Sequence, residues 1–401
     1  MGEIKRVKQA AVAVSEGRIV DAGPAPAVLS RIKLGKNACV IDATGKLVTP
    51  GLVDPHTHLI FAGNRANEFS MRCQGKSYME IASAGGGILA SMQATRGAAL
   101  DELVRLGRLR LGRMLAAGTT TCEVKTGYGL DFDSELRMLE AISVLSREQP
   151  VDLVPTFMAA HAFPPGVDRD AYIDEIVTRM LPAVAEMAAS PARQGVIQPF
   201  NDVFCDQGYF TLEETRKILE AGLKLGLRPK VHADEFANLG ATRLAVELGA
   251  ASADHLLKIS AVEIDLLSRS NTVAVLLPGT SFYLNLQEHA PAKKLIESGA
   301  AVALGSDFNP GSCHIFALPL IWALACLHLK MTPEQALTAL TVNAAVAIGL
   351  GHAIGQIRPG YQADLLVFDL PSLEEIPYNL GWNPVLITIK KGRVASQRGQ
   401  S

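Results

Sequence analysis

The chain has 401 residues, 48% hydrophobic and 19% charged, which is enough apolar content for a large core and too little charge for a disordered polymer. Its formal net charge of -2 excludes the strongly basic balance of a general nucleic-acid binder, while leaving room for a local positive pocket. Six cysteines (Cys39, Cys73, Cys122, Cys205, Cys313 and Cys326) form no Cys-x-x-Cys pair, which suits a reducing, cytoplasmic compartment.

Residues 1–9 are charged and lack a signal-peptide core, and no apolar run approaches about 18 residues, so an unexported chain with no membrane partner is expected. Short β-type pieces follow at 11–14, 17–20 and 38–42, separated by turn residues. From about 49 to 356, strand-length apolar runs lie at 52–54, 119–124, 153–158, 202–205, 230–232, 253–256, 273–277 and 301–305. Helical stretches fill the gaps at 101–117, 134–146, 172–187, 212–225, 239–248, 261–267 and 313–328. Such alternation implies repeated β-α units, and eight runs are the number that closes a (β/α)8 TIM-like barrel. An open doubly wound sheet is the competing architecture. The barrel is preferred because residues able to do chemistry cluster just after the carboxyl ends of the runs, where a barrel has its active face. Strands at 360–368 and 385–394 read like the amino-terminal ones. Residues 1–48 and 357–401 are therefore expected to meet as one small β-sandwich domain beside a catalytic barrel of 49–356.

The most informative stretch is Asp54-Pro55-His56-Thr57-His58, directly after an apolar run. Positions i and i+2 of a strand share a face, so two imidazoles stand together as half of a site for a transition metal. A chance pair of surface histidines would look the same in isolation. However, His232 ends the fifth run, His255 ends the sixth and Asp307 follows the eighth, and a barrel gathers these ends at one mouth. Three nitrogens and a carboxylate suit one divalent ion, Zn2+ or Fe2+, which lowers the pKa of a water it holds to about 7. His255 has an alternative role as a hydrogen-bonded structural histidine. Glu235, three residues past His232, reaches the metal only if the chain turns at Asp234-Glu235, whereas Asp234 has same-face spacing. Spacing leaves both open as proton carriers.

Pro50-Gly51-Leu52-Val53-Asp54-Pro55-His56-Thr57-His58 and Pro359-Gly360-Tyr361-Gln362-Ala363-Asp364-Leu365 resemble the opening metal motif and the returning β-domain motif of the amidohydrolase superfamily, over nearly the whole chain. Five further motifs narrow the resemblance: Thr57-His58-Leu59-Ile60-Phe61-Ala62-Gly63-Asn64-Arg65, Gly85-Gly86-Gly87-Ile88, Glu123-Val124-Lys125-Thr126-Gly127-Tyr128-Gly129-Leu130, Val231-His232-Ala233-Asp234-Glu235-Phe236 and Ser306-Asp307-Phe308-Asn309-Pro310-Gly311-Ser312. They resemble the branch that hydrolyses the cyclic amide C–N bond of 4-imidazolone-5-propanoate to N-formimidoyl-L-glutamate in L-histidine degradation.

By that resemblance His56, His58, His232 and Asp307 hold the metal, Asp307 also acts in catalysis, and His255 assists. Glu235 is then the proton carrier and a substrate contact, with Asp234 as its support. The resemblance makes Arg65 the planar fork for the substrate carboxylate, with Arg72 and Arg96 in reserve. It makes Tyr128 and His161 hydrogen-bond partners of the ring, and Asn309, Gly311 and Ser312 contacts to substrate polar groups. The implied partner is a small anionic substrate, with a homodimer as the assembly and no nucleic acid. The glycine run at 85–87 lacks a following Gly-Lys-Ser/Thr, so it reads as a loop near the mouth and not as a phosphate cradle. Two rivals stand beside this reading: a superfamily deaminase of a nucleobase or pterin, distinguished by stoichiometric ammonia release, and a barrel that binds without turnover.

Overall fold

A computed structural model gives the fold and describes residues 4–76, 80, 86–190 and 199–399. Near the amino terminus, β1 (Ala10–Ser15) and β2 (Arg18–Pro24) pair as an antiparallel hairpin, and β3 (Leu47–Pro50) follows. Eight parallel strands then run in chain order: β4 (Leu52–Asp54), β5 (Thr119–Lys125), β6 (Asp152–Ala160), β7 (Phe200–Cys205), β8 (Arg228–Ala233), β9 (Ser252–His255), β10 (Val273–Leu276) and β11 (Val302–Leu304). The last strands, β12 (Leu365–Phe368), β13 (Val385–Lys390) and β14 (Arg393–Gln397), join β3 in an antiparallel sheet ordered β14-β13-β12-β3.

Each of the eight expected runs is a strand of the parallel sheet. The sheet closes beyond the ends of its first and last strands, where Thr57 and Phe308 form a parallel bridge. His58 N donates to Phe308 O at 2.9 Å, and Asp307 N donates to His56 O at 3.0 Å. Asp54 Oδ1 accepts from Ser306 N at 3.0 Å across the same seam. Three of the four residues expected to bind the metal, His56, His58 and Asp307, thus lie where the barrel closes.

Alternation along the strands sorts the side chains. Cys122, Val124, Val203, Cys205, Val231 and Ala253 face the surrounding helices and join the main apolar core. Val53, Val154, Phe200, Val273, Val275 and Ala303 form a second apolar cluster. The intervening positions, Glu123, Lys125, Asp202, Lys230 and Asp254, are charged and fully buried.

The hairpin lies over the antiparallel sheet, with Ile19 buried against Leu365, Val367, Ile387 and Ile389, so segments from both ends of the chain share one core. The chain passes from that sheet into the barrel at Gly51, where a Cβ would come 2.3 Å from Thr120 Oγ1. Several expected elements differ: the strand expected over 360–368 begins only at Leu365, and that expected over 385–394 is divided into β13 and β14. Residues 38–42 form no strand and stay largely at the surface, with Val40 exposed, and Asp42 Oδ1 accepts the amide of Thr44 at 2.9 Å in a local turn just after them. The helix expected over 313–328 begins only at Leu318, since the amides of Gly311, Ser312 and Cys313 are bound by Asn309 Oδ1. Of the glycine run, Gly85 lies outside the described residues, while Gly87 precedes the helix Ile88–Gly97 with φ +82°. No helix among the described residues is long and apolar enough to cross a membrane.

Candidate active site

His56 and His58 lie just past β4, His232 on β8 and Asp307 just past β11, and all are buried. Two carboxylates beneath them orient two of the rings. Asp254 Oδ2 is 2.6 Å from His56 Nδ1, and Asp202 Oδ1 is 3.1 Å from His232 Nδ1. With each Nδ1–H donated downward, the Nε2 lone pairs of both rings point to the mouth. There His232 Nε2 is 3.4 Å from His58 Nε2, and Asp307 Oδ1 is 3.6 Å from His56 Nε2 and 3.8 Å from His58 Nε2. Ligands about 2.0–2.2 Å from one ion are held about 3.3–3.6 Å apart at tetrahedral angles and up to about 3.8 Å at about 120°, so these separations match a single divalent ion of four- or five-coordinate geometry. His56 Nε2 is buried without a hydrogen-bond partner among the described residues, which is the signature of a ligand atom.

The electrostatics agree. Burial, followed by the charge of Lys125, pushes the His56 imidazole well down, and burial does the same at His58 and His255, so all three stay neutral with lone pairs free. Burial raises the Asp307 carboxyl to about 6, and Thr280 Oγ1 donates to its Oδ2 at 2.6 Å, leaving Oδ1 to face the imidazoles.

The backbone turns sharply where these side chains emerge. Asp234, His255 and Asp307 have φ of +53°, +79° and +50°, a left-handed conformation that non-glycine residues adopt mainly under structural demand. The turn at Asp234 ends β8 and separates the two candidate proton carriers. Asp234 Oδ2 accepts from Thr242 Oγ1 at 2.5 Å on the helix Ala241–Glu247, away from the ligands. Glu235 swings inward, its Oε2 3.5 Å from His255 Nδ1. Burial and the charges of Asp307 and Asp206 push its carboxyl well above the usual range. His255 itself lies beside the ligands, its ring centroid 5.2 Å from that of His232 and 5.4 Å from that of His56.

On the rim, the buried Tyr128 ring stands 5.8 Å from His58, and His161 stacks on His58 at 4.8 Å while its Nδ1 contacts Gly127 O at 3.0 Å. Arg65 is already forked to Glu68, with Nε to Oε1 at 2.9 Å and Nη2 to Oε2 at 2.7 Å. Its third nitrogen rests on Gly311, where a Cβ would lie 1.9 Å from Nη1. Arg72 Nη2 donates to Gly311 O at 3.1 Å, so it adjoins the same spot. Arg96 binds Gly129 O and Leu130 O and serves the loop after β5. Asn309 uses its side chain inside its own loop, donating to Asp307 O and Ser312 Oγ while accepting three amides.

Sequence reasoning did not single out Asp202, Asp254, Lys125, Lys230, Glu123, Asp206, Glu68 or Thr280. For the first five a signal existed, since charges at alternating positions of otherwise buried strands need an internal partner.

A parallel eight-stranded barrel whose mouth gathers three imidazoles and an aspartate defines an amidohydrolase-type hydrolase with a divalent-metal site. The "Amidohydrolase family" profiles match residues 212–395 and 39–84. The imidazolonepropionase of Symbiobacterium thermophilum is 48% identical, over 99% of this chain and 93% of its own length. That of Geobacillus thermodenitrificans is 46% identical over 100% and 93%. By these matches the chain belongs to the imidazolonepropionase family. Among solved structures, an adenosine deaminase from Xanthomonas campestris with bound zinc superposes with a TM-score of 0.70, covering 97% of this chain and 88% of that one. At 18% identity it shares the fold alone.

Proposed function

We propose that the chain hydrolyses 4-imidazolone-5-propanoate to N-formimidoyl-L-glutamate in the cytoplasmic degradation of L-histidine, using one divalent ion, zinc or ferrous iron, held by His56, His58, His232 and Asp307. The observation that carries this reading is the convergence of ligand atoms, three pairs of which lie 3.4–3.8 Å apart, beside a buried Glu235–His255 pair. The six cysteines are unpaired, in keeping with a reducing compartment.

When bound, the ion supplies Lewis acidity, lowering the pKa of a water toward 7 and polarising a carbonyl oxygen. Glu235 would accept a proton from the water that attacks the ring carbonyl carbon and would return it to the ring nitrogen as the C–N bond breaks. No proton is left over, and the nitrogen stays in the product. Neutral His255, 3.5 Å from Glu235, offers a hydrogen bond to the oxyanion. Arg65, whose expected fork is taken up by Glu68, offers the propionate its remaining Nη1, Tyr128 and His161 hold the ring, and Asn309 shapes the loop through which Gly311 and Ser312 meet the substrate.

The test is incubation of the zinc- or iron-loaded protein with imidazolonepropionate, following loss of ring absorbance and assaying both products. Formation of N-formimidoyl-L-glutamate without ammonia is expected. Stoichiometric ammonia would overturn the assignment in favour of a deaminase.

A further inference from the structure

Directly beneath the ligands the barrel interior is filled by Glu123, Lys125, Asp202, Lys230 and Asp254, at a level where barrels ordinarily stack branched apolar residues. Such a layer is costly unless every charge is paired. Lys125 is its hub. Its Nζ, at the end of β5, lies 2.6 Å from Asp202 Oδ2 on β7, 2.9 Å from Glu123 Oε2 and 3.6 Å from Asp254 Oδ2 on β9. Asp202 and Asp254 are the carboxylates that hold His232 and His56 by their Nδ1 atoms. Lys230 reaches Glu123 Oε1 at 2.8 Å and Pro55 O at 3.0 Å, and its charge also acts on Asp254, but among the described residues only Lys125 lies within ion-pair distance of both ring-orienting carboxylates.

We infer that Lys125 is a positioning residue for the metal site, a clamp that holds Asp202 and Asp254 in place so that His232 and His56 aim their Nε2 atoms at one point. The physical reason is geometric. Two buried carboxylates on alternate strands repel each other, and without a cation between them neither has cause to keep the separation that the two imidazoles need. Lys125 Nζ contacts these carboxylates and no ligand ring among the described residues, so its positioning effect passes through them, beside the direct action of its charge on His56. A lysine serving stability alone would act differently, because any change that rebalances the cluster's charge would then repair its loss.

The inference rests on the metal-site reading, and the experiment separates the two. Apo-protein is titrated with zinc against a chromophoric chelator, for wild type, for Lys125→Met and for the double variant Lys125→Met/Glu123→Gln, which removes one charge of each sign. Circular dichroism and melting are recorded in parallel. The expected result is zinc affinity weakened about 10–100-fold in both variants, the range found when the partners of metal ligands are lost, with the double variant regaining melting temperature but not affinity. Wild-type affinity in either folded variant would overturn the clamp, and failure of both to fold would replace it with a purely structural role. A wild-type protein that takes up no zinc or iron would overturn the site reading and the clamp with it.

Discussion

Glu235 sits where burial and the neighbouring Asp307 and Asp206 charges all oppose ionisation, so its carboxyl holds a proton at a higher pH than an exposed glutamate would. A carboxyl so placed can accept and return a proton, whereas an amide of the same shape cannot. Glu235→Gln is therefore expected to lower kcat by about 100-fold or more while leaving zinc content and melting temperature unchanged. A variant that keeps wild-type turnover would remove Glu235 from proton transfer. A different residue governs recognition. Because Arg65 Nη1 packs on the bare Cα of Gly311, a methyl group added there must push the guanidinium aside, and the clashing atom is the free end of a long side chain. Gly311→Ala should then raise KM for imidazolonepropionate by about tenfold, the equivalent of roughly 1.4 kcal/mol, with little change in melting temperature. An unchanged KM would show that the substrate carboxylate does not depend on this placement of Arg65.

The turn after β8 shows how a whole element is aimed by one side chain. Asp206 accepts the amides of Glu235 at 2.8 Å and of Phe236 and Ala237 at 2.9 Å, which turns the chain back once Asp234 has broken the strand. Asp206→Ala leaves those amides buried or half-buried without their acceptor, so a loss of about 3 kcal/mol is expected together with a fall in kcat as Glu235 loses its anchor. Zinc binding should survive, because His232 is held separately by Asp202. If kcat holds while the melting temperature drops, the turn contributes only stability.

This turn also marks the limit of what the sequence made legible. Short runs rich in apolar and β-branched residues and bounded by turn residues identified all eight barrel strands, even where, as in β5, buried polar residues alternate with the apolar ones. The choice between Asp234 and Glu235 was not legible from spacing, since it depends on a φ of +53° imposed by an acceptor 28 residues upstream of Asp234. The ring-orienting role of Asp202 and Asp254 was hidden for a similar reason. Each charge is visible in its own strand, but its partner is set by barrel geometry. Residues 38–42 misled because Ala38-Cys39-Val40-Ile41-Asp42 has strand composition, yet most of the run lies at the surface, with Val40 74% exposed.

For the molecule as a whole, the ligand set and the closure of the barrel coincide. β4 and β11 are the only neighbours in the eight-stranded circle joined by an isolated bridge in place of a paired ladder among the described residues, and His56, His58 and Asp307 all lie in that seam. An ion shared by these residues and His232 would link β8 to both sides of the closure. Its removal would leave neutral, buried imidazoles and the Asp307 carboxyl facing one another with nothing to satisfy them. Binding confined to the folded state stabilises by about 4 kcal/mol at a thousandfold excess over Kd, which is several degrees of melting temperature for a protein of this size. Chelation should lower the melting temperature accordingly. It should also speed hydrogen exchange at the amides of His58 and Asp307, which bond across the seam, more than at the β6–β7 ladder on the far side of the barrel. Equal exchange at both places would mean that the ion, although bound by residues of the seam, contributes nothing to holding the barrel shut.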